Sequence, residues 1–294
     1  MNQRFNIAGK TKNLIIAGIG LLYLAFAFAS LSFSSRFVSQ PFPGFLVLQN
    51  NYVGVIWLNH WEGIKAGIKY QDIIKAINGQ PLNSSFELYA QLKELTPGTI
   101  VSYTVQRGKN TLEFKVPVSI FTLKDYLLIV VPSTLTTLCF IIIGLIVFYL
   151  KPNLRTSWFI LVFSFLGSTA IMGAMDVVIS HKMIFLDDLT FDLLPPAVLA
   201  MALCFPLERK ISRNKWFMTF LYLSGLPFPF FNRYSANHPA LLYFAYTSFT
   251  IYLSGLFLAA AAIALYSFIR SKDIFVRQKA KMVSFGFIIT ALTM

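Results

Sequence analysis

Charge is scarce in this chain. Of 294 residues only 13% are charged and 56% are hydrophobic, with 12 acidic residues against 25 basic ones. A soluble globular chain carries about a quarter charged residues. Most of this length therefore lacks the means to build a water-facing surface, and it belongs in lipid. Cysteine is nearly absent: Cys139 and Cys204 both fall inside apolar runs, which excludes a disulfide framework or a zinc spacing and reads as two buried thiols used as small core residues. Histidine is equally sparse. His60, His181 and His238 stand apart and read as external, and none belongs to an H-E-x-x-H pair, so the helical zinc site that such a pair builds is excluded. There is no G-x-S-x-G nucleophile elbow and no glycine-rich phosphate loop. These residues offer no recognisable catalytic motif and imply no cofactor or metal.

What is present is a series of apolar stretches: Leu14 to Phe33, Tyr126 to Leu150, Trp158 to Ile179, Leu189 to Leu207, Trp216 to Phe231, Ala240 to Ile269, and Met282 to Met294. Lys and Arg gather in every second gap. Arg4, Lys10 and Lys12 precede the first stretch; Lys151 and Arg155, then Arg209, Lys210, Arg213 and Lys215, then Arg270, Lys272, Arg277, Lys279 and Lys281 fill later gaps, whereas the alternate short loops hold only Lys182 and Arg233. By the positive-inside rule the N-terminus is cytoplasmic, Ser34 to Asp125 is outside, and the turns at Lys151 to Thr156, Glu208 to Lys215 and Arg270 to Lys281 are cytoplasmic. The formal charge of +13 is then topology and attraction to anionic lipid rather than a nucleic-acid surface. Ala27-Phe28-Ala29 offers a small-residue cleavage pattern after a basic start, while the apolar length of Leu14 to Phe33, about enough for a full span, favours an uncleaved anchor. The last stretch would rise about 20 Å as a helix, short of a hydrocarbon core of roughly 30 Å, and reads as part of a longer protein.

Between the first two stretches lies a segment patterned as a small folded domain. Phe45 to Leu48 and Val53 to Leu58 are apolar runs joined at Asn50-Asn51. Ser84-Ser85-Phe86-Glu87 has the form of a capping box, and Leu88, Leu92 and Leu95 recur at helical spacing up to Pro97-Gly98. Val101, Tyr103, Val105 and Leu112, Phe114, Val116 alternate at strand period around Arg107-Gly108-Lys109-Asn110, a hairpin signal. In the middle runs Gly63 to Gln80, where Ala66-Gly67-Ile68, Asp72-Ile73-Ile74 and Ile77-Asn78-Gly79 keep a fixed spacing. Asn-Gly marks a tight turn because both residues tolerate positive φ. This pattern, over about Phe42 to Val118, resembles the PDZ domain of bacterial envelope proteins; Gln71 stands where that family usually has Gly, which implies a turn built differently.

The resemblance implies a peptide added as a strand beside Phe45 to Leu48. Gly44 and Phe45 would offer main-chain N–H groups to a terminal carboxylate, Leu46 and Val47 would pair with the peptide, and Ser85 and Tyr89, one helical turn apart, would select its side chains. Pro43 has no N–H to contribute. The residues at Gly44 and Phe45 read equally as an ordinary turn into a strand. So few residues separate Val118 from Tyr126 that the domain should sit against the membrane.

Elsewhere, Pro195-Pro196, Pro206, Pro227 and Pro229 lie in or beside apolar stretches and read as helix kinks. Asp176 stands near the outer end of its stretch with Asp187, Asp188 and Asp192 nearby in sequence; an intramembrane carboxylate is a functional candidate by default, and one near the interface is equally placed to be solvated. Gly173-Ala174-Met175-Asp176 departs from the Gly-x-Gly-Asp of intramembrane aspartyl proteases at its third residue.

The fold expected is therefore an α-helical polytopic membrane protein with an inserted small α/β, mainly β, PDZ-like extracytoplasmic domain. Residues 1–35 form the cytoplasmic N-terminus and first anchor, 36–121 the external domain, and 122–294 about six spans with the last incomplete. The whole resembles the sensory half of bacterial multi-pass signalling proteins such as PDZ-bearing sensor histidine kinases. That implies an input module in the bacterial inner membrane whose kinase, phosphatase or cyclase activity would lie beyond Met294. A scaffold or transport component that recruits a partner is the alternative, and an accessory part of a membrane protease is third. The expected partners are the lipid bilayer and a peptide or envelope protein; a homodimer is admitted and nucleic acid is not.

Overall fold

The computed structural model describes residues 9–55, 58–236 and 238–293. The chain forms two compact units: Leu24–Thr136 with Ile171–Asp187, and Met1–Tyr23 with Thr137–Ala170 and Asp188–Met294.

In the first unit helix α1 (Gly9–Ser35) leads into β1 (Pro41–Phe42), β2 (Leu46–Val47), β3 (Val53–Val55), α2 (Glu62–Lys65), β4 (Ile73–Ile77), β5 (Gln80–Pro81), α3 (Ser85–Lys93), β6 (Ile100–Arg107), β7 (Asn110–Pro117) and β8 (Ser119–Ile120), before α4 (Leu123–Leu150) begins. The main sheet has the order β5-β4-β6-β7; β2 pairs with β3 and β1 with β8, all antiparallel. Strand β6 shows why: Val101, Tyr103 and Val105 are fully buried while the residues between them are not, the period-two alternation of a half-buried strand. These three pack with Val47, Ile74, Ile77, Leu88 and Leu92 in one core. Asn78 and Gly79 have φ of 49° and 81°, so a primed turn joins β4 to β5 as the Asn-Gly pair predicts. Gln71 takes φ 67°: this residue itself enters the left-handed region where the resembled family places Gly.

Asp72, almost wholly buried, closes that turn. It accepts a forked pair from Arg107 (Nε to Oδ1 and Nη2 to Oδ2, both 2.7 Å) and the Lys69 N–H at 2.8 Å, while Arg107 Nη2 also donates to the Gly67 carbonyl. Burial would raise the carboxyl's pKa, but these donors and the Arg107 charge outweigh it and hold it below the usual value.

A second core lies on the far side of β2. There Phe42, Leu46, Trp61 and Phe121 pack with Tyr126, Ile129 and Val130 of α4 and with Met175, Val178 and Ile179, which belong to α5 (Arg155–Ile179). The domain is thus seated on the ends of two apolar helices. Its incoming and outgoing strands are zipped together where they meet those ends: Pro41 pairs with Ile120 and Phe42 with Ser119, and Ser39 N–H donates to the Phe121 carbonyl while Phe121 N–H donates to that of Gln40.

In the second unit α7 (Leu194–Cys204) is buried along nearly its whole length against α8 (Lys215–Leu223) and α10 (Pro239–Arg270). The stretch from Leu189 to Leu207 divides between α6 (Ile184–Asp192) and α7. Pro195 and Pro196, which lack an N–H, occupy the first turn of α7, where no intrahelical donor is needed. Trp216 to Phe231 likewise divides between α8 and α9 (Pro227–Ala236), parted around Gly225, whose Cα lies so close to the Asp192 carbonyl that a Cβ would stand 2.6 Å from it. Among the described residues, four helices are long and apolar enough to cross a membrane: α1, α4, α5 and Tyr243–Arg270 of α10. The shorter pairs replace two of the seven stretches expected to cross as single spans. Three further expectations are corrected. Helix α11 starts at Ile274, so Arg277 to Lys281 are helical rather than a turn. Cys139 is exposed on α4, not a core residue. Ser84 makes no capping bond through its side chain; Glu87 reaches back one residue further, to Asn83 N–H at 2.9 Å.

The Asp72–Arg107 pair carries a stability that pH should reveal. Because the native pKa is lowered, the contribution is complete above the unfolded carboxylate value of about 3.9 and is lost as pH falls through the native one. Asp72→Asn should speed amide exchange over residues 71–77 ten- to hundredfold at pH 7, from hydrogen bonds to charge of about 1.5–3 kcal/mol. Hydrogen–deuterium exchange on the purified chain checks this, and the difference from the parent should shrink below pH 4.

Candidate functional site

The residues that the sequence singles out for peptide binding come from a loop, a strand and a helix of the first unit, and all six are buried. Gly44 takes φ 80°, and a Cβ there would meet the Gly63 nitrogen at 2.3 Å. Gly63 in turn could carry no Cβ without striking the Phe45 ring and the carbonyls of Gly44 and Pro43. The two glycines let the 43–45 loop lie directly on the first turn of α2. From this loop, side chains alternate along β2: Phe45 and Val47 enter the sheet core, where Phe45 meets Tyr103 edge-on at 5.4 Å, and Leu46 enters the core against α4 and α5.

On α3, Tyr89 sits across from β2. Its hydroxyl accepts a long hydrogen bond from the Val47 N–H at 3.5 Å. Burial pushes the phenol's pKa up, with that N–H pulling it back, so the hydroxyl keeps its own proton. One turn earlier, the Ser85 N–H donates to the Gln49 carbonyl at 3.3 Å. Helix and strand are thus bridged directly. Phe37, from the segment after α1, stacks edge-on against Tyr89 at 5.1 Å.

Ser85 and Tyr89 also meet a residue that sequence spacing did not bring to this site. His181, in the turn after α5, is buried; its Nε2 lies 3.4 Å from Ser85 Oγ, and its ring centroid 5.5 Å from that of Phe86 and 6.2 Å from that of Tyr89. His181 takes φ 57°, an uncommon conformation for a residue with a Cβ. Asp176 enforces it. Fully buried at the end of α5, its carboxylate accepts from Ser180 Oγ and from the Met183 N–H at 2.6 Å, and its carbonyl accepts from the N–H groups of Ser180 and His181. The carboxylate picked out as an intramembrane candidate therefore shapes the turn that presents His181. Burial lowers the imidazole's pKa; the Val177 carbonyl and the Asp176 carboxylate pull the other way.

A third group was legible by a rule applied elsewhere. Thr122-Leu123-Lys124-Asp125 has the capping-box spacing, and the structure forms it: Thr122 N–H and Oγ1 donate to Asp125 Oδ2 at 2.9 and 2.6 Å, and Asp125 N–H donates to Thr122 Oγ1 at 3.1 Å. Asp125 Oδ1 accepts from Trp61 Nε1 at 3.1 Å and meets His60 Nε2 at 2.7 Å. One buried carboxylate thus fastens the start of α2 to the start of α4.

Residues 62–118 match the family model described as PDZ domain; the match runs from α2 through β7 and leaves β1 to β3 outside it. No curated protein matches the chain.

The glycine contact in the 43–45 loop separates conformation from packing. Gly108 also has positive φ, 60°, but faces open space, so Gly108→Ala should cost only the left-handed penalty of about 1–2 kcal/mol. Gly44→Ala adds a backbone overlap and should cost roughly 3 kcal/mol or more. Exchange protection of the domain's amides measures both, and equal losses would mean the loop can lift from α2 freely.

Proposed function

We propose that this chain is a membrane-embedded input module, in which a PDZ domain that binds a peptide or an envelope protein passes its state to the apolar helices beneath it. A PDZ domain generally mediates interaction with a peptide or protein, and this one is present in residues 62–118. The observation that carries the rest is the seat of the domain. Leu46, on the strand a peptide would pair with, packs into the same core as Ile129 of α4 and Val178 of α5, and Asp125 links α2 to α4. A ligand biases a second element only if it binds one arrangement better than another, and a joint without slack keeps that difference from dissipating. Recruitment by a scaffold would need no such joint.

In this reading the helices lie in a bacterial inner membrane, with the N-terminus cytoplasmic and residues 36–121 outside. In a background carrying Cys139→Ala and Cys204→Ala, single cysteines at the exposed positions Asn110 and Asn214 should react with an impermeant maleimide on intact cells only at Asn110. Labelling at Asn214 alone or at both would reverse or abolish the topology. The coupling has its own test. Spin labels at Asn110→Cys and Thr136→Cys should give one narrow distance distribution in lipid nanodiscs, broadened by a Gly/Ser insertion of about ten residues between Ile120 and Leu123, long enough to behave as a coil. If the parent's distribution is already as broad as that of the insertion, the domain is a tethered recruiter and the scaffold reading stands.

A further inference from the structure

A peptide strand beside β2 must lie between β2 and α3 and take the Val47 N–H as a partner. Neighbouring strands stand about 4.8 Å apart, so the added strand needs that much room on the side of β2 facing α3. The room is absent: Val47 N–H is bonded to the Tyr89 hydroxyl, Ser85 N–H to the Gln49 carbonyl, and Leu46 and Val47 are fully buried. Leu88 and Leu92 anchor α3 in the sheet core, and its N-terminal half is held further from outside the sheet. The turn at Ser180–Met183 sets His181 against Ser85, Phe86 and Tyr89, and Phe37 stacks on Tyr89.

We infer that the Ser180–Met183 turn is an internal ligand of the PDZ groove, latched on α3 through His181, and that an external peptide gains the Val47 N–H only by displacing it. This rests on the peptide-binding reading above and adds its regulation. The turn is continuous with α5, so unlatching is felt at the helix end that also packs on Leu46. The latch is rigid on its own side because the Asp176 carboxylate holds both Ser180 and Met183. It is also sensitive to acid. The ionisable groups about the imidazole are Asp176 on α5, Tyr89 on α3 and the exposed neighbour Lys182. Burial makes the docked His181 harder to protonate than a free one, despite the pull of Asp176. Protonation therefore favours the undocked turn, and the latch loosens as pH falls through the imidazole range of about 6.5.

The test uses the full chain in lipid nanodiscs and needs no known ligand. His181→Ala should speed exchange of the Val47 amide at least tenfold while the amides of β6 and β7 keep their protection. The parent should show the same rise, corrected for intrinsic exchange, between pH 7.5 and 5, and the His181→Ala chain should not. A purely local packing role for His181 would raise exchange only over residues 180–184, and that outcome overturns the inference. Competition is read with a phage-displayed library of random C-terminal heptapeptides. Enrichment should be strongest on His181→Ala, weaker on the parent, and absent on a chain locked by a disulfide between Ser85→Cys and His181→Cys; equal enrichment on all three would sink the displacement step. Enrichment on none would count against peptide binding itself, and the Val47 exchange then decides the latch alone.

Discussion

Everything in the domain-bearing unit depends on how an apolar helix end can be joined to a β-domain without leaving polar backbone exposed to a dry contact. Asp125 is the solution this chain uses. A carboxylate in such a place is costly unless each oxygen finds donors, and here Thr122, Trp61 and His60 supply them. The same carboxylate holds the Thr122 N–H and hydroxyl, and Thr122 Oγ1 in turn caps the first turn of α4 by accepting the Asp125 N–H, which would otherwise be unpaired. With β1 paired to β8 alongside, the domain can tilt only by breaking charge-assisted hydrogen bonds or by bending the helices.

That constraint explains why β2 has two buried faces. An edge strand ordinarily shows one face to the core and one to water; here Phe45 and Val47 fill the sheet core while Leu46 fills the helix-end core. Strand β2 is therefore the shared wall of both cores. Any displacement of β2 must be absorbed by α3 on one side or by α4 and α5 on the other. Interiors are close-packed and tolerate discrete rearrangement better than gradual deformation.

Polar side chains in this protein mostly act on backbone geometry rather than on chemistry. Asp72 braces the turn in which Gln71 adopts a left-handed conformation; Asp176 braces the turn in which His181 does the same. In each case a buried carboxylate accepts main-chain N–H groups that the sharp turn would leave unpaired, so the strain of one residue is held by the satisfaction of another.

Much of the PDZ region was legible in the sequence because its signals are local. Asn78-Gly79 needs only its own two residues to specify a turn, β6 and β7 announce themselves by alternation, and Leu88 and Leu92 mark the buried face of α3. The long apolar helices were legible for the same reason: twenty apolar residues in a row leave the backbone no other economical way to satisfy itself. Where Pro195-Pro196 and Gly225 interrupt, local signal became ambiguous, since a kinked span and two short helices share one composition. What only the tertiary structure decided was contact between distant segments. Nothing in the spacing of His181 ties it to Ser85, 96 positions away, nor that of Asp125 to Trp61. Such pairings are settled by which buried polar atoms find partners once the chain has packed, and hydrogen-bond satisfaction in a dry interior is a property of the whole fold, not of any stretch within it.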